Sequence, residues 1–305
     1  MRLSEKTSER MKWTLGFLMI ALIPVAVNFA IGTGSGQSRI FDKSGRNNQV
    51  SLAISPEKFP SYLYTVQNHV SKLARSVNTT EALHELSSRF SYLQKDLEAG
   101  AKRKQLEEIR RFYAETFAAE YHSQNGEKVQ VDQFVSKLDP PSVPAQYDFI
   151  VSNEYPLGKK QELLRPRRST PYAEAHAKFH PLFQDLLETH SLYDVFLIGE
   201  DGRVVYSVFK EIDFATSLVT GPWSATGLAK AFQATRSLKP DSPGNGIHYE
   251  DFSSYVPSYD APAAFVSAPL FREGKYIGAL VVQIPLEKVV RSKRVPRDRI
   301  ARLSF

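Results

Sequence analysis

Hydrophobic positions between residues 59 and 121 recur every three or four residues, a spacing typical of amphipathic helices. The pattern begins with Leu63, Val66, Val70 and Leu73. It is interrupted by the polar stretch "NTTE" at residues 78–81. We expect a helix break there, with Thr79 or Thr80 as the N-cap of the next helix.

From residue 81 to residue 121 the same spacing continues, and two interpretations stay open. One continuous helix would be about 60 Å long at a rise of about 1.5 Å per residue. That length suits a stalk that packs along another element or a second copy of the chain. The other interpretation is two helices broken near Gly100, since globular helices are mostly shorter.

From residue 193 onward, β-branched and aromatic residues form short runs separated by turn residues. "YDVFLIG" and "RVVYSV" flank "EDG" and predict a β-hairpin. "GIHYEDF" predicts a third strand, while "AFVSAPLF" and "YIGALVVQIPL", joined by "REGK", predict a closing hairpin. The sequence therefore predicts an α+β fold in which helices cover one side of a five-stranded antiparallel sheet.

Two helices accompany these strands, and a proline-rich stretch precedes them. "YAEAHAKFHPLFQDLLETH" predicts a helix with Ser169 or Thr170 as its cap, which Pro181 should bend or restart. "GPWSATGLAKAFQAT" predicts a short amphipathic helix entered through Pro222. Prolines make residues 122–170 irregular, with "QYDFIVSN" as a short strand or a turn of helix.

One long apolar segment lies near the N-terminus. "WTLGFLMIALIPVAVNFAI", residues 13–31, has no charged residue over 19 positions. It would span roughly 28 Å as a helix, which predicts a single transmembrane helix. Basic residues before it place residues 1–12 in the cytoplasm and the bulk of the chain outside the inner (plasma) membrane, in the periplasm. A cleaved signal peptide is the alternative.

The charge distribution narrows the classes of partner. The chain carries +6, of which +5 falls on residues 291–305 and +2 on residues 1–12, so the body carries about −1. A body without excess positive charge argues against nucleic acid as a partner. The absence of cysteine from the sequence excludes disulfides, thiolate metal sites and cysteine nucleophiles.

Several segments of the second half resemble one known family. The most specific are "GRVVYSVFKEIDFATSL" and "VPSYDAPAAFVSAPL", supported by "GPWSATGLAKAF" and "GALVVQIPLEKV". Over about residues 147–290 the chain resembles the extracytoplasmic sensor region of bacterial transmembrane receptors, of the Cache (PAS-like) group. Such regions precede chemotaxis-receptor, histidine kinase and nucleotide cyclase outputs. The resemblance implies one PAS-like sheet with flanking helices, a helix leading from the membrane, and recognition of a small ligand in signal transduction.

The resemblance also shapes the expected organisation. Intact receptors continue into a second span and an output domain, whereas the basic stretch "RSKRVPRDRIARLSF" follows Val290 here. We therefore expect a sensor without its own output, either a truncated receptor or a free-standing sensor half. A tethered binding or adaptor protein that partners a separate receptor is the alternative. A homodimer through the stalk helices is expected, and neither enzymatic activity nor a cofactor.

Taken together, these observations predict seven consecutive segments. They are a cytoplasmic basic tail (1–12), a transmembrane helix (13–31), a linker (32–58), a helical stalk (59–125), an irregular connector (126–170), a Cache/PAS-like sensor module (171–290) and a second basic tail (291–305).

Polar and aromatic residues near the predicted sheet form the candidate ligand site. They are Tyr206, Ser207, Lys210, Trp223, Asp251, Tyr255 and Tyr259. A carboxylate, an ammonium and phenol hydroxyls can bracket a zwitterion or a small carboxylate through charge-assisted hydrogen bonds. We therefore expect an amino acid or another carboxylate as ligand. The alternative is that the charged residues face solvent and the tyrosines pack in the core.

Two further patterns match known chemistry only in part. His176 and His180 share a helix face, but a third metal ligand is missing from the pattern, which predicts ordinary histidines and no metal site. Ser207 and Lys210 match the Ser-x-x-Lys spacing of penicillin-recognising enzymes. That chemistry places the serine at the start of a helix, whereas these residues follow a strand. A hydrolase using Ser207 is therefore the enzymatic alternative to a binding function.

Overall fold

A computed structural model describes residues 59–95, 97–239, 242 and 246–285. The predicted transmembrane helix at 13–31, the linker at 32–58 and both basic tails lie outside the described residues. Among the helices that are described, none combines the length and the apolar character needed to cross a membrane.

The first two helices are α1 (Phe59–Ala74) and α2 (Val77–Phe90). The break between them falls at residues 75–76, earlier than the predicted cap at Thr79 or Thr80, so that prediction is wrong. Both threonines lie inside α2, and the Thr80 hydroxyl donates to the Val77 carbonyl at 3.0 Å. A threonine that bonds back into its own helix does not need to begin one.

The next helical stretch comprises α3 (Ala99–Arg111), a π-helical segment (Phe112–Phe117) and α4 (Ala118–Asn125). It ends at Gly126, whose φ of 74° is the left-handed conformation that commonly terminates helices. A 3₁₀ turn (Ser91–Leu93) and non-helical residues separate it from α2. The alternative of two helices is thus confirmed, and a single helix from residue 81 to residue 121 is wrong.

The proline-rich connector is more regular than its sequence indicates. It contains α5 (Asp132–Val135), α6 (Ser142–Gln146), a second π-helical segment (Tyr147–Val151) and a 3₁₀ turn (Lys160–Glu162). Prolines precede α6 and lie in its first turn, where the missing N–H removes no helical hydrogen bond. The segment "QYDFIVSN" is accordingly helical rather than a strand.

Helix α7 (Pro171–Thr189) begins as predicted. It extends eight residues beyond Pro181, where a bend or a restart was expected. The Thr170 hydroxyl accepts from the Ala173 amide at 3.1 Å, which confirms Thr170 as the N-cap. The helix continues through Pro181 without restarting. Buried side chains on both sides of this proline, among them Phe179 and Phe183, hold the two halves against the same core.

Five strands form one sheet, and a single helix is inserted between the second and third. The strands are β1 (Asp194–Gly199), β2 (Val204–Ser207), β3 (His248–Tyr255), β4 (Ala261–Arg272) and β5 (Lys275–Pro285), and the inserted helix is α8 (Gly227–Thr235). All neighbouring strands are antiparallel, in the order β2-β1-β5-β4-β3. The α+β fold with a five-stranded antiparallel sheet is confirmed. Helix α8 starts at the Thr226 cap rather than at Pro222.

Helices cover both faces of this sheet, so the expectation of helices on one side is wrong. We call the two faces the α7 face and the α8 face. The α7 face presents Val195, Leu197, Leu280 and Val282 to helices α1, α2 and α7. The α8 face presents Phe196, Ile198, Ala279 and Val281 to α8 and to the stretch from α3 to α4. Because both faces are buried, β1 and β5 read as continuous apolar runs without alternation.

Candidate functional site

The loop at residues 208–217 leaves β2 in a constrained conformation. Lys210 has a φ of 57° and Ala215 a φ of 69°, which lie in the left-handed region that residues other than glycine seldom adopt. Such backbone conformations persist only where the surroundings impose them, and they are concentrated at functional sites. The loop is therefore the first feature of a candidate site.

Side chains from elsewhere in the chain hold this loop in place. Gln146 donates to the carbonyls of Ile212 and Phe214, each at 2.9 Å. The Ile212 carbonyl also accepts from the Tyr113 hydroxyl and from the Trp223 indole N–H, both at 3.2 Å. Since Tyr113 lies in the π-helical segment after α3, the loop is bonded directly to that helix.

Lys210 is buried at the centre of the loop, with only 2% of its surface exposed. Its ammonium donates to the main-chain carbonyl of Ser207 and lies over three aromatic rings. The distances to the ring centroids are 4.3 Å for Tyr206, 5.1 Å for Phe214 and 5.9 Å for Phe149. Burial lowers the pKa of Lys210 to about 7, although two nearby carboxylates oppose the shift. All three rings belong to the core of the α7 face.

Asp194 lies on the opposite face, in register with Gln283 on β5. Its Oδ1 accepts from three main-chain amides, those of Val195, Val208 and Phe209, at 2.6, 2.9 and 3.1 Å. Its Oδ2 is buried and has no hydrogen-bond partner within the described part of the chain. Burial, and then the charge of Asp213, raise the pKa of Asp194 well above its ordinary value.

Asp213, like Asp194, has one carboxylate oxygen in a hydrogen bond and one without a partner in the described structure. Its Oδ2 accepts from the Tyr255 hydroxyl at 2.5 Å, while its Oδ1 is buried and finds no donor among the described residues. Burial raises the pKa of Asp213 to about 6, and the hydrogen bond from Tyr255 offsets part of that shift. Asp194 and Asp213 are both fully buried.

Glu211 connects the loop to the strands through a chain of hydrogen bonds. Its two carboxylate oxygens accept from the hydroxyls of Tyr193 and Ser258, both at 2.7 Å. The Ser258 hydroxyl in turn accepts from the Gln283 amide at 3.2 Å. Gln283 is 2% exposed, and its Oε1 is buried with no donor in the described structure. We call Asp194, Glu211 and Asp213 the acidic cluster.

The histidine pair lies on the α7 face, where the Nδ1 of His176 bonds to the Leu164 carbonyl at 3.1 Å and its Nε2 is buried without a partner among the described residues. The rings of His176 and His180 stack at 4.5 Å. His180 bonds at 2.6 Å to both the Tyr206 hydroxyl and the Gln161 carbonyl, so its Nε2 donates and its Nδ1 accepts. Burial lowers the pKa of His180 to about 3 and that of His176 well below its ordinary value. In the described part of the chain, no group of three or more potential ligands could hold a metal ion.

The predicted site residues lie on different faces of the sheet. Tyr206 points to the α7 face, where its hydroxyl meets His180. Ser207 is in register with Phe196, so it shares the α8 face. Its hydroxyl accepts from the Lys210 amide at 3.1 Å, while the Lys210 ammonium contacts the serine carbonyl rather than the hydroxyl. That contact differs from the lysine-to-hydroxyl contact that a Ser-x-x-Lys nucleophile requires.

The remaining predicted residues lie at different distances from the loop. Trp223 and Tyr255 are buried in the α8-face core and bond to the loop, at the Ile212 carbonyl and at Asp213. Tyr259 instead stacks on Phe117 of the π-helical segment at 5.2 Å. Asp251 is exposed on the edge strand β3, where it accepts from the Tyr249 hydroxyl.

Sequence reasoning missed both buried aspartates of the acidic cluster. Asp194 begins an apolar strand in "YDVFLIG", and Asp213 lies between isoleucine and phenylalanine in "EIDF". A carboxylate enclosed by apolar neighbours was the signal that could have identified them, because acidic residues are rarely buried without a reason.

A second feature, a surface cleft of about 500 Å³, lies between α2 and the β1–β2 turn. Residues of its wall include Leu83, His84, Ser87, Phe90, Asp201 and Arg203. None of the seven predicted site residues lines it. The candidate site and the cleft are thus separate features of the molecule.

Comparisons with known proteins give few constraints. No family model matches the chain. No curated protein matches it either. Among solved structures, the chain is similar to the sensor domain of the histidine kinase DctB from V. cholerae, with 15% identity and a TM-score of 0.29. The match covers 58% of this chain and 58% of that one. A TM-score this low does not establish a shared fold, so the likeness carries no conclusion.

Proposed function

We propose that this protein is a sensor module of the Cache (PAS-like) type, which binds a small polar molecule at the acidic cluster and its loop. The observation that carries the proposal is the pair of fully buried carboxylates, each with one unpartnered oxygen, beside a constrained loop. Clusters of buried groups with shifted pKa values are concentrated at functional sites. The segments that resemble sensor regions also supply Glu211, Asp213 and Ser258 to this site.

The hydrogen bonds of the loop suggest how binding would be transmitted. A ligand that moves the loop must alter the bonds that the Ile212 carbonyl accepts from Tyr113 and Gln146. Tyr113 lies in a π-helical segment, a helix irregularity frequent at functional sites. In this proposal, ligand shifts the equilibrium between two placements of the α3–α4 stretch because it binds one placement more tightly.

The wider setting belongs to the same proposal. Residues 13–31 anchor the module in the inner membrane, the described residues lie outside the cytoplasm, and the helices between residues 59 and 121 pair in a homodimer. The function is recognition without catalysis, coupled to chemotaxis or two-component signalling. The long apolar run and the basic residues before it support the anchor and its orientation.

A thermal-shift screen of the full-length protein against amino acids, organic acids and nucleobases tests this proposal. A ligand at a hundredfold excess over its Kd should stabilise the folded state by about 2.7 kcal/mol. The Tyr255→Phe variant, which loses the donor to Asp213, should reduce that shift. Tyr249→Phe is the matched control, because this hydroxyl donates to the exposed Asp251 on the edge strand β3. A ligand whose shift is the same in all three proteins would contradict the proposed site.

A further inference from the structure

We propose that the cleft between α2 and the β1–β2 turn is a second binding site, and that its ligand is a neutral polyhydroxylated ring such as a monosaccharide. This inference goes beyond the proposed function, because the cleft shares no lining residue with the acidic cluster or with the loop at residues 208–217. The observation that carries it is a buried serine hydroxyl in the cleft wall, which has no hydrogen-bond partner in the described part of the chain.

One part of the cleft wall is apolar. The volume of about 500 Å³ lies within the range of pockets that hold small molecules, roughly 300–1,000 Å³. Leu83 and Phe90 of α2 and Val205 of β2 line the cleft, and each of these residues is at most 5% exposed. They offer a surface on which the C–H face of a ring can be buried.

The rest of the α2 wall consists of hydroxyl and amide groups. Ser87, Ser91 and Gln94 follow one another at spacings of four and three residues, which places them on one side of α2 and of the turn after it. The Ser87 hydroxyl is the buried group without a partner. Burying a hydroxyl without a partner is unfavourable, and a hydroxyl can both donate and accept. A ligand hydroxyl at this position would therefore satisfy Ser87 in either sense.

A glycine keeps the space beside this serine open. A methyl group placed on Gly199 of β1 would lie 3.6 Å from Ser87 Oγ and 2.9 Å from Asp201 Oδ1. The Asp201 carboxylate accepts from the Arg203 amide at 3.0 Å and, like any carboxylate, has sites for further donors. A ring with adjacent hydroxyls can thus bond to Ser87 and to Asp201 at the same time.

The charges along the cleft favour a neutral ligand over an anion. Among the described residues of the wall, Arg203 is the one lysine or arginine. Its guanidinium donates to the Asp139 carboxylate at 2.5 and 3.1 Å and to the Ala215 carbonyl at 2.9 Å. An anionic ligand would therefore find no unpaired lysine or arginine here. Glu200 and Asp201 are exposed, so their carboxylates are hydrated acceptors that do not require a cation.

Sugars that differ only in charge provide the test. The full-length protein is titrated by thermal shift and calorimetry with glucose, galactose and mannose, and with the uronic acid and the 2-amino sugar that correspond to each. We expect at least one neutral sugar to raise Tm. Its uronic acid should bind about 10-fold more weakly, since it brings an unpaired charge into the cleft. Its amino sugar should bind no more tightly than the neutral form.

The Ser87→Ala variant separates ligand chemistry from folding. Because the Ser87 hydroxyl has no partner among the described residues and alanine favours the helix, the unliganded Tm should be unchanged or higher. The sugar should bind about 3-fold to 10-fold more weakly, as for the loss of one neutral hydrogen bond. Ser136→Ala is the matched control, since the Ser136 hydroxyl is exposed, donates to the Gln133 carbonyl and lies outside the cleft.

The Gly199→Ala variant tests the space itself. One added methyl group next to Ser87 and Asp201 should weaken sugar binding by about 10-fold to 100-fold. Gly100→Ala is the matched control, because no atom lies within 4 Å of the methyl group added there. Tyr255→Phe, at the acidic cluster, should leave the affinity for the sugar unchanged.

Several outcomes would overturn the inference. If no neutral sugar shifts Tm, the cleft is not a sugar site, while shifts from amino acids or organic acids would leave the proposed function in place. Tighter binding of a uronic acid or an amino sugar would show that the ligand class is wrong. Sugar binding that survives both Ser87→Ala and Gly199→Ala, or that Tyr255→Phe weakens, would move the site elsewhere. A lower unliganded Tm in Ser87→Ala would show that this hydroxyl has a partner in the folded protein.

Discussion

Next to the 208–217 loop, the two faces of the sheet bury different titratable groups, namely His180 and Lys210 on the α7 face and Asp194 and Asp213 on the α8 face. On the α7 face, His180 has both nitrogens bonded and is neutral, and the Lys210 ammonium lies among aromatic rings. On the α8 face, Asp194 and Asp213 are equally buried, yet each leaves one oxygen without a donor in the described structure. One short loop contributes to both faces, so the contrast arises from chemistry and not from exposure.

This contrast indicates different roles for the two faces. Buried polar groups with complete hydrogen bonding stabilise one packing arrangement, whereas an incomplete set costs stability. Proteins retain such costs mainly where function requires them. Because His176 Nε2 on the α7 face is also buried without a partner in the described structure, hydrogen bonding alone does not separate the faces. We infer binding capacity on the α8 face from its two buried carboxylates. Substitutions on the two faces should differ accordingly.

The largest expected effect is the loss of a core ring on the α7 face. Phe149 is fully buried and packs edge-on against Tyr172 at 5.5 Å and Phe214 at 5.7 Å. Phe149→Ala should lower the free energy of unfolding by about 3–5 kcal/mol, through lost burial and a cavity. Urea denaturation measures this change. Tyr64→Ala, at a position that is 66% exposed, is the control and should change stability by less than about 0.5 kcal/mol.

A cost of about 1 kcal/mol or less for Phe149→Ala would show that the α7 face is loosely packed. It would then be the better candidate for a binding surface, and the assignment of roles to the two faces would be reversed.

The sequence predicted the sheet well because its strands are short apolar runs bounded by turn residues. All five strands and the α7 cap at Thr170 are where local pattern placed them. The helix break near residue 76 and the coverage of both faces were missed for one reason. Each depends on which helix packs against which strand, and a periodic pattern indicates an apolar side without naming its partner.

The ligand-binding role of the predicted site residues stays a prediction, and the structure gives only their positions. Tyr206, Ser207, Lys210 and Tyr255 lie in or beside the constrained loop that contains "VFKEIDF". The face of the sheet to which each side chain points was not predictable from the sequence. Strand β2 has only four residues, and the left-handed backbone of Lys210 after it breaks the alternation of a strand. Asp251 was chosen for its charge, and it lies exposed on an edge strand.

The second prediction concerns the buried cation of the α7 face. The pKa of Lys210 in the folded protein is about 7, below its ordinary value of 10.5. The charged form of this lysine therefore destabilises the folded state relative to the unfolded state. Its contribution to stability is present above pH 10.5 and is lost as the pH falls through about 7. Lys210→Met removes this loss. The free energy of unfolding of the variant should therefore exceed that of the wild type by about 1–4 kcal/mol at pH 6. Denaturation at pH 6 and pH 10 measures the gap.

Lys230→Met, at an exposed position of α8, is the control for the loss of a lysine charge. A gap between Lys210→Met and the wild type that is equal at pH 6 and pH 10 would contradict the burial of a strained ammonium. It would instead indicate that Lys210 is fully compensated by its neighbours.

The third prediction compares one tyrosine hydroxyl on each face. Tyr255→Phe removes the donor to Asp213, whose pKa of about 6 lies above its ordinary 3.8. Below pH 4 that aspartate is protonated in both states, and its contribution to stability is lost as the pH rises through about 6. Since the hydrogen bond offsets part of this loss, removing it should cost about 0.5–1.5 kcal/mol at pH 5 and about 1.5–3 kcal/mol at pH 8.

Tyr206→Phe removes the donor to His180 on the α7 face and should behave differently. With a pKa of about 3, His180 is neutral at both pH values. The cost of about 1–3 kcal/mol for an unpartnered buried nitrogen should therefore not change with pH. Thermal unfolding of both variants at pH 5 and pH 8 measures the contrast. The same pH dependence in the two variants would remove the electrostatic distinction between the faces.

The smallest effect should come from the helix caps, one on each face. Thr170 accepts from Ala173 at 3.1 Å at the start of α7, whereas Thr226 accepts from Ala229 at 3.5 Å at the start of α8. Thr170→Ala should cost about 1 kcal/mol, the typical value of a cap, and Thr226→Ala less because its bond is long. Amide hydrogen exchange in the first turn of each helix measures both. If Thr226→Ala proves the costlier, α8 depends on its cap more than α7 does. The α8 face would then be the less stable layer, which favours movement of that face on binding.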